Sequence, residues 1–412
     1  MLFFCIYLIL YDLLLKFCSK LQVLFRIYKI YAKKILRITS CSFYIFILCE
    51  VKFFVKFADM NTFGKNLRLT TFGESHGEAI GGVIDGFPSD TKIDFELVER
   101  EMRARRPGGK NVSARNEPDE VEFLSGISEE GYSLGSPIAF IIRNMDRRSS
   151  DYDDLKNWFR PNHADFTYLR RYGIYDHRGG GRASARETAC RVVGGAFAQM
   201  ILNERYIYVR SFLTGVGNTS EPDLLERLSR DPGLAETYSP SKELQEKLMN
   251  EIESAKMQKD SIGGTVTCII LNMKAGIGNP VYDKLSSRLA EAMISINAAR
   301  GFEIGYGMQL SRSRGSEVMD LFDPDSFLND NMLSNFSGGI QGGITNGMPV
   351  FFNVAFKPTP TIGQPIPLLS GDGETDIRQI SGRHDPCVAL RAVPVVKAMA
   401  ALTVADFILG RP

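Results

Sequence analysis

The stretch SIGGTVTCIILNMKAGIGNPVYDKLSSRLAEAMISINAARG, residues 261–301, decides the fold because it contains two secondary-structure patterns in succession. A Gly-Gly entry leads into a run of β-branched and apolar residues, which is typical of a buried strand. After the turn AGIGNP, apolar residues recur at the spacing of one helix face, at Leu285, Leu289, Ala292 and Ile296. The stretch therefore predicts a strand, a turn and an amphipathic helix.

The same order recurs elsewhere in the chain. AIGGVIDGFP is followed by DFELVEREMRARR, in which Phe95, Val98 and Met102 have helical spacing. GGIQGGITNGMPVFFNVAFKP predicts a further strand pair, and RAVPVVKAMAALTVADFIL predicts a closing helix. These internal similarities predict an α+β fold of layered sheets and helices, built from duplicated β-α units in a single compact domain. The charged residues 219–260 are predicted to be a peripheral helical insertion.

Residues 1–59 differ from the rest in composition, because they are apolar and basic and contain no Gly or Pro. Asp12 and Lys16 interrupt the first apolar run, and the second run is shorter than the roughly 20 residues that span a bilayer. The sequence gives little support for a secretory signal peptide, since no basic region precedes the first apolar run. An anchor or targeting segment remains an alternative. We expect Met60 to be the physiological start, with the upstream residues translated from non-coding sequence, and 60–412 to be the folded domain.

Charge and cysteine usage narrow the function classes. Residues 1–59 contain nine Lys and Arg against three Asp and Glu, which leaves 40 against 45 in the remainder of the chain. A slightly acidic body is a poor candidate for general nucleic-acid binding, which needs clustered cations. The seven cysteines show neither metal-site nor disulfide spacing. We therefore expect a reducing, cytoplasmic location.

Two of the four histidines, His76 and His163, are candidates for proton transfer. His76 is in GESHG, and His163 is in FRPNHADFTYLRRYG, just before DHRGGGRASARET. In the latter string, glycines let the backbone approach a ligand, and the helix predicted to follow would present free N–H groups to an anion. Arg178, Arg182 and Arg186 add fixed cations. A glycine-rich turn that enters a core helix is the structural alternative.

Three further strings carry candidate binding groups. MRARRPGG contains Arg103, Arg105 and Arg106, and a guanidinium group can bind phosphate or carboxylate through two hydrogen bonds. Cations are also favourable at a helix C-terminus because of the helix dipole alone. In SGRHDPCVALRAVP, Asp385 could orient a histidine or act as a base, unless the string is a surface turn. KPTPTIG predicts a rigid loop that presents Lys357.

Motifs for common nucleotide and zinc sites do not occur: the chain has no Walker loop, no GxGxxG fingerprint and no HExxH. The remaining interpretation is a polyanion site made of arginines and glycine loops. Histidines are available there for proton transfer near neutral pH.

Three strings together resemble the chorismate synthase family: GESHGEAIGGVIDGFP, the block from RPNHADFTYLRRYG to GGGRASARET, and GRHDPCVALRAVP. The resemblance runs from about Asn61 to Leu409. It implies a β-α-β sandwich core, a homotetramer, and a catalytic domain over residues 60–412. The implied reaction of the shikimate pathway is the 1,4-elimination of phosphate from 5-enolpyruvylshikimate 3-phosphate to give chorismate, which is redox-neutral yet requires reduced FMN.

The resemblance also implies roles for residues. His76 would protonate the departing phosphate, His163 would stabilise the reduced flavin, and Asp385 would relay the C6 proton through flavin N5. Arg105 would meet phosphate groups of the substrate or the reductant. The implied cofactor contacts are Arg105, Arg182, Ala183, Ser184, Asn297, Ala298, Gly342, Lys357, Pro358, Thr359, Pro360, Thr361 and Arg383. No metal is implied. The sequence departs from the family pattern after Arg106, where Lys110 is an uncertain substitute for a second basic residue, and at Lys397, where the family often has Glu.

Two other interpretations stay open. Some members of the family reduce their own FMN with NADPH, but without a dinucleotide fingerprint or a reductase domain we expect an external flavin reductase to supply the reduced cofactor. A non-catalytic FMN-binding or polyanion-binding protein would be favoured if His76, His163 or Asp385 were missing, and all three are present.

Overall fold

The computed structural model describes residues 61–106, 118–145, 158–176, 180–324, 332–380 and 385–410. Its helices are α1 (Phe95–Arg105), α2 (Asp165–Tyr172), α3 (Thr188–Asn203), α4 (Leu224–Arg230), α5 (Leu234–Thr237), α6 (Lys242–Met257), α7 (Leu285–Ile294) and α8 (Val388–Leu409). Its strands are β1 (Thr62–Phe63), β2 (Arg68–Phe72), β3 (Ala79–Asp85), β4 (Val121–Phe123), β5 (Ile138–Arg143), β6 (Trp158–Phe159), β7 (Tyr208–Val216), β8 (Thr219–Ser220), β9 (Gly264–Leu271), β10 (Ala299–Ile304), β11 (Ile340–Gln341), β12 (Ile344–Thr345), β13 (Val350–Phe356), β14 (Ile366–Ser370) and β15 (Thr375–Arg378).

Two antiparallel sheets form the framework. The first has the strand order β1-β2-β3-β5-β4, and the second has the order β10-β13-β9-β7-β8. In the second sheet, the predicted strand β9 is central and lies between β7 and β13, with almost every residue from Val266 to Leu271 buried. Continuous apolar runs of this kind belong to strands that are covered on both faces.

Helices pack between the two sheets. Helix α3 contacts β2 and β3 of the first sheet and β7 of the second, and α8 contacts α3 together with β7, β9 and β13. Two adjacent glycines in α3 allow the close approach: a Cβ at Gly194 would lie 2.8 Å from the Leu69 side chain, and one at Gly195 would lie 2.3 Å from the Cβ of Ala398. The fold is a mixed α+β fold, and the duplication of β-α units stays a prediction.

The predicted helices α1, α7 and α8 are present, with differences at two apolar positions. Helix α7 ends at Ile294, so the predicted Ile296 lies beyond it, although Ile296 is buried. In α1, the Asp94 side chain accepts a hydrogen bond from Leu97 N–H at 2.8 Å and so begins the helix, while Val98 and Met102 face the core. Phe95 was predicted on this face but is 45% exposed. Its ring instead forms an edge-to-face pair with Phe123 on β4, because Phe95 lies at the margin of the helix face that buries Leu97 and Val98.

Helix α8 is long and apolar enough to cross a membrane, yet 72% of its most apolar window is buried within the protein. It is the central core helix. Its one lysine, Lys397, pairs with the buried Glu101 of α1 at 2.6 Å. The departure from the family pattern at Lys397 is therefore matched by a carboxylate on the neighbouring helix.

Residues 219–260 contain the helices α4, α5 and α6, as predicted, and also the short strand β8. They are less peripheral than predicted, because they cover the second sheet and contribute to the core. Leu224 and Leu228 of α4 pack with Ile269 and Phe351 on that sheet. From α6, Leu248 and other apolar residues join the main core. The prediction that residues 1–59 are dispensable concerns a part of the chain outside the described residues.

Candidate active site

The GESHG loop, Gly73–Gly77, joins the antiparallel strands β2 and β3. Its sequence matches the G-x-S-x-G motif of the nucleophile elbow in serine hydrolases. That elbow connects a strand to a helix, whereas this loop connects two strands. Gly73 has φ +89°, and a Cβ there would lie 2.3 Å from Ala79 O. The geometry therefore excludes a nucleophile elbow and indicates a tight loop that displays polar groups.

The loop holds His76 in a buried position. The Ser75 hydroxyl lies 3.1 Å from His76 Nδ1. Asn144, at the end of β5, donates from its Nδ2 to Glu74 O at 3.1 Å and to Gly77 O at 2.9 Å. Because one amide clamps both ends of the loop, the imidazole has a fixed position before any ligand binds.

A buried charge cluster supports this clamp. Arg105 at the end of α1 donates from Nη1 to Asp119 at 2.9 Å, and Arg186 donates to the other oxygen of the same carboxylate. Arg186 also donates from Nε to Asn144 Oδ1 at 2.8 Å. Thr188 and the carbonyl of Ala185 accept further hydrogen bonds from Arg105. Buried ions need this full set of partners, since desolvation is costly.

Burial and a neighbouring cation change the electrostatics of Arg105. Loss of water, followed by repulsion from Arg391, lowers the pKa of Arg105 to about 10, and Asp119 opposes this shift. Arg105 therefore remains a cation near neutral pH. An anionic ligand would relieve the repulsion between the two guanidinium groups.

Arg391, in the first turn of α8, connects this cluster to Asp385. Its Nη1 donates to Asp385 Oδ2 at 2.7 Å, and its Nε donates to Arg105 O at 3.4 Å. Asp385 and Arg391 line a small cavity of about 20 Å³ together with Arg105 and Asn297. A space of this size holds about one water molecule, and we call it the inner cavity.

The loop at 357–361 brings His163 to the same region. His163 Nε2 and Thr361 Oγ1 are within hydrogen-bonding distance, and Thr359 Oγ1 donates to Asp385 O at 2.5 Å. Lys357 Nζ donates to Asn162 O at 3.2 Å. Burial, with a smaller contribution from Arg300, lowers the pKa of Lys357. The loop after β13 therefore joins one predicted histidine to the predicted base.

Other predicted cofactor contacts meet at the turn before α3. Asn297 Nδ2 donates to Ala183 O at 2.8 Å, whereas the buried Asn297 Oδ1 has no partner among the described residues. Arg182 donates to Thr71 Oγ1 at 2.7 Å and to Gly73 O at 3.4 Å. The residues between Gly181 and Glu187 form two short 3₁₀ turns. The predicted helix thus begins only at Thr188, because Ser184 caps the second turn and not α3.

A larger cavity of about 750 Å³ lies beside the GESHG loop, and it has the volume of a small-molecule site. Its walls include three tyrosines of the segment after His163, together with glycines and Arg182. The lining residues are Glu74, Ala164, Asp165, Tyr168, Tyr172, Ile174, Tyr175, Asp176, Gly180, Gly181 and Arg182. Asp165 in this wall is paired with Arg160 at 2.7 Å. The sequence analysis did not predict these tyrosines, although FTYLRRYGIY contains them all at helix and turn spacing.

Not every predicted residue joins this arrangement. Gly342 lies at the turn between β11 and β12, and a Cβ there would meet nothing within 4 Å. Arg383 and Arg178 lie outside the described residues. Pro358 and Pro360 contribute to the 357–361 loop, which begins where β13 ends.

The three described cysteines do not supply a nucleophile. All of Cys190, Cys268 and Cys387 are buried, and burial raises the pKa of each thiol, that of Cys190 to about 12. A thiolate is therefore disfavoured at each position. The polar groups available for chemistry are imidazoles, carboxylates and cations.

Three residues that the sequence analysis missed hold the site together. Asp119, Asn144 and Arg391 each link elements that are far apart in the chain, and Arg391 contacts Arg105 across 286 positions. Arg391 stands six residues after Asp385 within GRHDPCVALRAVP, so that motif contains the signal for it. No local pattern marks Asp119 or Asn144.

Comparisons with known proteins identify the family of the chain. The chorismate synthase family model matches residues 67–409. The chorismate synthase of Christiangramia forsetii is 48% identical over 356 residues, which cover 85% of this chain and 97% of that protein. That of Porphyromonas gingivalis is 49% identical over 354 residues, covering 85% and 96%. A crystal structure of a chorismate synthase matches with a TM-score of 0.66 and 31% identity, covering 84% of this chain and 92% of that one. The chain is an enzyme that belongs to the chorismate synthase family.

Proposed function

We propose that the protein converts 5-enolpyruvylshikimate 3-phosphate to chorismate by 1,4-elimination of phosphate, with reduced FMN as its cofactor. The observation that carries the proposal is one connected set of contacts. It runs from the GESHG loop through Asn144, Arg186 and Asp119 to Arg105, and on through Arg391 to Asp385. The 357–361 loop extends the set to His163.

The charge of this set favours anionic ligands. Three guanidinium groups, of Arg105, Arg186 and Arg391, face the two carboxylates of Asp119 and Asp385. Lys357 adds a half-buried cation whose described hydrogen bond is to a backbone carbonyl. Uncompensated buried cations are costly without a counterion. The substrate, a dicarboxylate phosphate ester, and FMN, a phosphate, supply that charge.

The residues present also fit a flavin. The Asn297 Oδ1 acceptor is buried without a partner among the described residues, and the flavin ring has N–H donors that can meet it. Arg182, Ala183, Ser184, Asn297, Ala298 and the 357–361 loop would hold the cofactor. Arg105 would hold phosphate. When bound, reduced FMN supplies an electron-rich ring that supports loss of phosphate and is not consumed.

The side chains of this chain carry the proton movements. As the C6–H bond breaks, its electron pair forms a new ring double bond, the existing double bond shifts, and the C3–O bond breaks to release phosphate. Asp385 is the carboxylate that finally accepts the C6 proton, and His76 donates a proton to the departing phosphate. His163, held by Thr361, stabilises the cofactor. The burial of His76 and of Arg105 excludes water from competing for these groups.

The remaining features of the proposal concern context. We expect the enzyme to act in the cytoplasm as a homotetramer, with reduced FMN delivered by a separate flavin reductase. Under this proposal, NADPH is an indirect reductant only.

The test is an anaerobic assay of the purified full-length chain with 5-enolpyruvylshikimate 3-phosphate. Chorismate and phosphate should appear in equal amounts with chemically reduced FMN, and neither should appear with oxidised FMN or without flavin. FMN binding without any chorismate would overturn the proposal and favour a non-catalytic flavin-binding protein. Activity with oxidised FMN and NADPH alone would replace the external reductase with an internal one.

A further inference from the structure

We infer that Arg391 is a positioning residue that holds the Asp385 carboxylate toward the inner cavity and fixes its distance from Arg105. This inference rests on the proposed function, since it assigns Asp385 the role of proton acceptor. No motif in the sequence analysis selected Arg391, and its assignment depends on the contacts that it makes.

The first support is geometry. Arg391 Nη1 lies 2.7 Å from Asp385 Oδ2, and the two side chains are only 14% and 11% exposed. A second hydrogen bond, from Arg391 Nε to Arg105 O at 3.4 Å, uses another edge of the same guanidinium. A planar guanidinium group that donates to two separate acceptors is held in one orientation. The carboxylate that it binds is therefore fixed relative to the end of α1.

The second support is the rigidity of the backbone on both sides. Arg391 belongs to the first turn of α8, where Ala392 and Val395 are buried in the core. The backbone around Asp385 is tied down as well, because Asp385 O accepts from Thr359 and Pro386 O accepts from Ile262 N–H at 2.8 Å. With both backbones held, the hydrogen bond from Arg391 Nη1 restricts where the Asp385 carboxylate can point.

The third support is charge. Arg391 is the largest Coulombic contributor to the lowered pKa of Arg105, so its field reaches the part of the site that is proposed to bind phosphate. The same guanidinium pairs with Asp385, so Arg391 links the proposed phosphate site to the proposed proton acceptor.

The test compares Arg391→Met, which keeps much of the volume without the charge, with Arg391→Lys. We expect Arg391→Met to lower kcat about 10–10²-fold, with little change in KM, because misplacement of a reacting group costs this much. The isotope effect with substrate deuterated at C6 should increase. Arg391→Lys should recover part of kcat. Arg230→Met, which breaks the exposed Arg230–Glu226 pair, is the matched control and should behave as wild type.

A double-mutant cycle separates positioning from other roles. If Arg391 acts through Asp385, Arg391→Met should cost little in an Asp385→Asn background, because the carboxylate that it positions is already gone. Equal costs in both backgrounds, a normal kcat in Arg391→Met, or a change confined to KM would each overturn the inference. If Arg391→Met fails to fold by circular dichroism, Arg391→Lys and its cycle with Asp385→Asn decide. Absence of chorismate from the wild-type protein would instead defeat the proposed function.

Discussion

Arg105 and Arg186 stand next to regular elements, and each makes hydrogen bonds to several buried partners. His163 and Lys357, by contrast, stand in loops, where His163 contacts a threonine hydroxyl and Lys357 donates to a backbone carbonyl. We call the first group the cluster side and the second the loop side. Both sides carry groups proposed to touch ligands, yet they are held in different ways.

The difference indicates a division of work. On the cluster side, a preformed field for phosphate exists before binding, which avoids reorganisation during the reaction. On the loop side, the groups stand outside regular elements, and loops can adjust to the flavin and to substrate at modest cost. Substitutions on the cluster side should therefore affect stability together with activity, and those on the loop side should affect cofactor affinity and turnover without unfolding the protein.

The largest effect should come from two histidines: His76, in the loop that Asn144 and Arg186 of the cluster side support, and His163 on the loop side. His76→Ala and His163→Ala should each lower kcat by about 10²–10⁴-fold, the usual contribution of general acid–base groups. FMN binding, followed by flavin fluorescence, should remain detectable in both variants and should weaken only in His163→Ala. If both variants turn over at nearly the wild-type rate, the imidazoles are structural.

Asp119→Asn tests the cluster side directly. Asparagine tolerates the positive φ of 50° at this position, but it cannot neutralise Arg105 and Arg186. The free energy of unfolding in urea should fall by about 3 kcal/mol, as for other broken buried ion pairs. Asp85→Asn removes the exposed partner of Arg68 and should cost at most about 1 kcal/mol. Equal losses in the two variants would show that burial of the cluster does not matter.

Thr361→Val tests the loop side at nearly constant volume. The buried Thr361 hydroxyl faces His163 Nε2. Its removal takes this hydrogen-bond partner from the imidazole and leaves the volume of the side chain almost unchanged. We expect kcat to fall about tenfold, which corresponds to one hydrogen bond of about 1.4 kcal/mol. Thr361→Ser should retain most activity. Thr403→Val, a buried threonine in α8 that bonds to Met399 O, is the control for the change itself. A Thr361→Val protein that unfolds more easily but turns over normally would contradict the proposed role.

Lys357→Met should have the smallest effect, a rise of about threefold in the Kd of FMN, since a half-exposed cation contributes roughly 0.6 kcal/mol. The pH dependence carries more information. Because burial lowers the pKa of Lys357 below 10.5, its charge is lost earlier on alkaline titration, and FMN affinity should decline as the pH rises through that lowered value. The decline should be absent in Lys357→Met and present in the exposed control Lys247→Met. An identical pH profile in all three proteins would remove Lys357 from the site.

The sequence alone predicted the elements with clear periodicity, such as the strand Gly264–Leu271 and the helix Leu285–Ile294. It could not predict that Phe95 would lie at the margin of the buried face, because spacing shows which face a residue is on but not how far the core reaches. For the site, the motifs identified the histidines, Asp385 and the 357–361 loop. Asp119 and Asn144 were missed since each acts through partners that only the folded chain brings near, across 67 and 42 positions to Arg186.

The adjacent glycines of α3 have a consequence for the spacing of the charges. Gly195 lets α3 approach α8 so closely that a methyl group would overlap Ala398. Arg186 lies two residues before the start of α3, and Arg391 lies in the first turn of α8. The lack of a side chain at Gly195 therefore influences the distance between the Arg186 and Arg391 guanidinium groups, which lie about two helical turns away. Selection for activity can act on a position that has no functional group at all, and Gly195→Ala would be the smallest change that alters the interval between those charges.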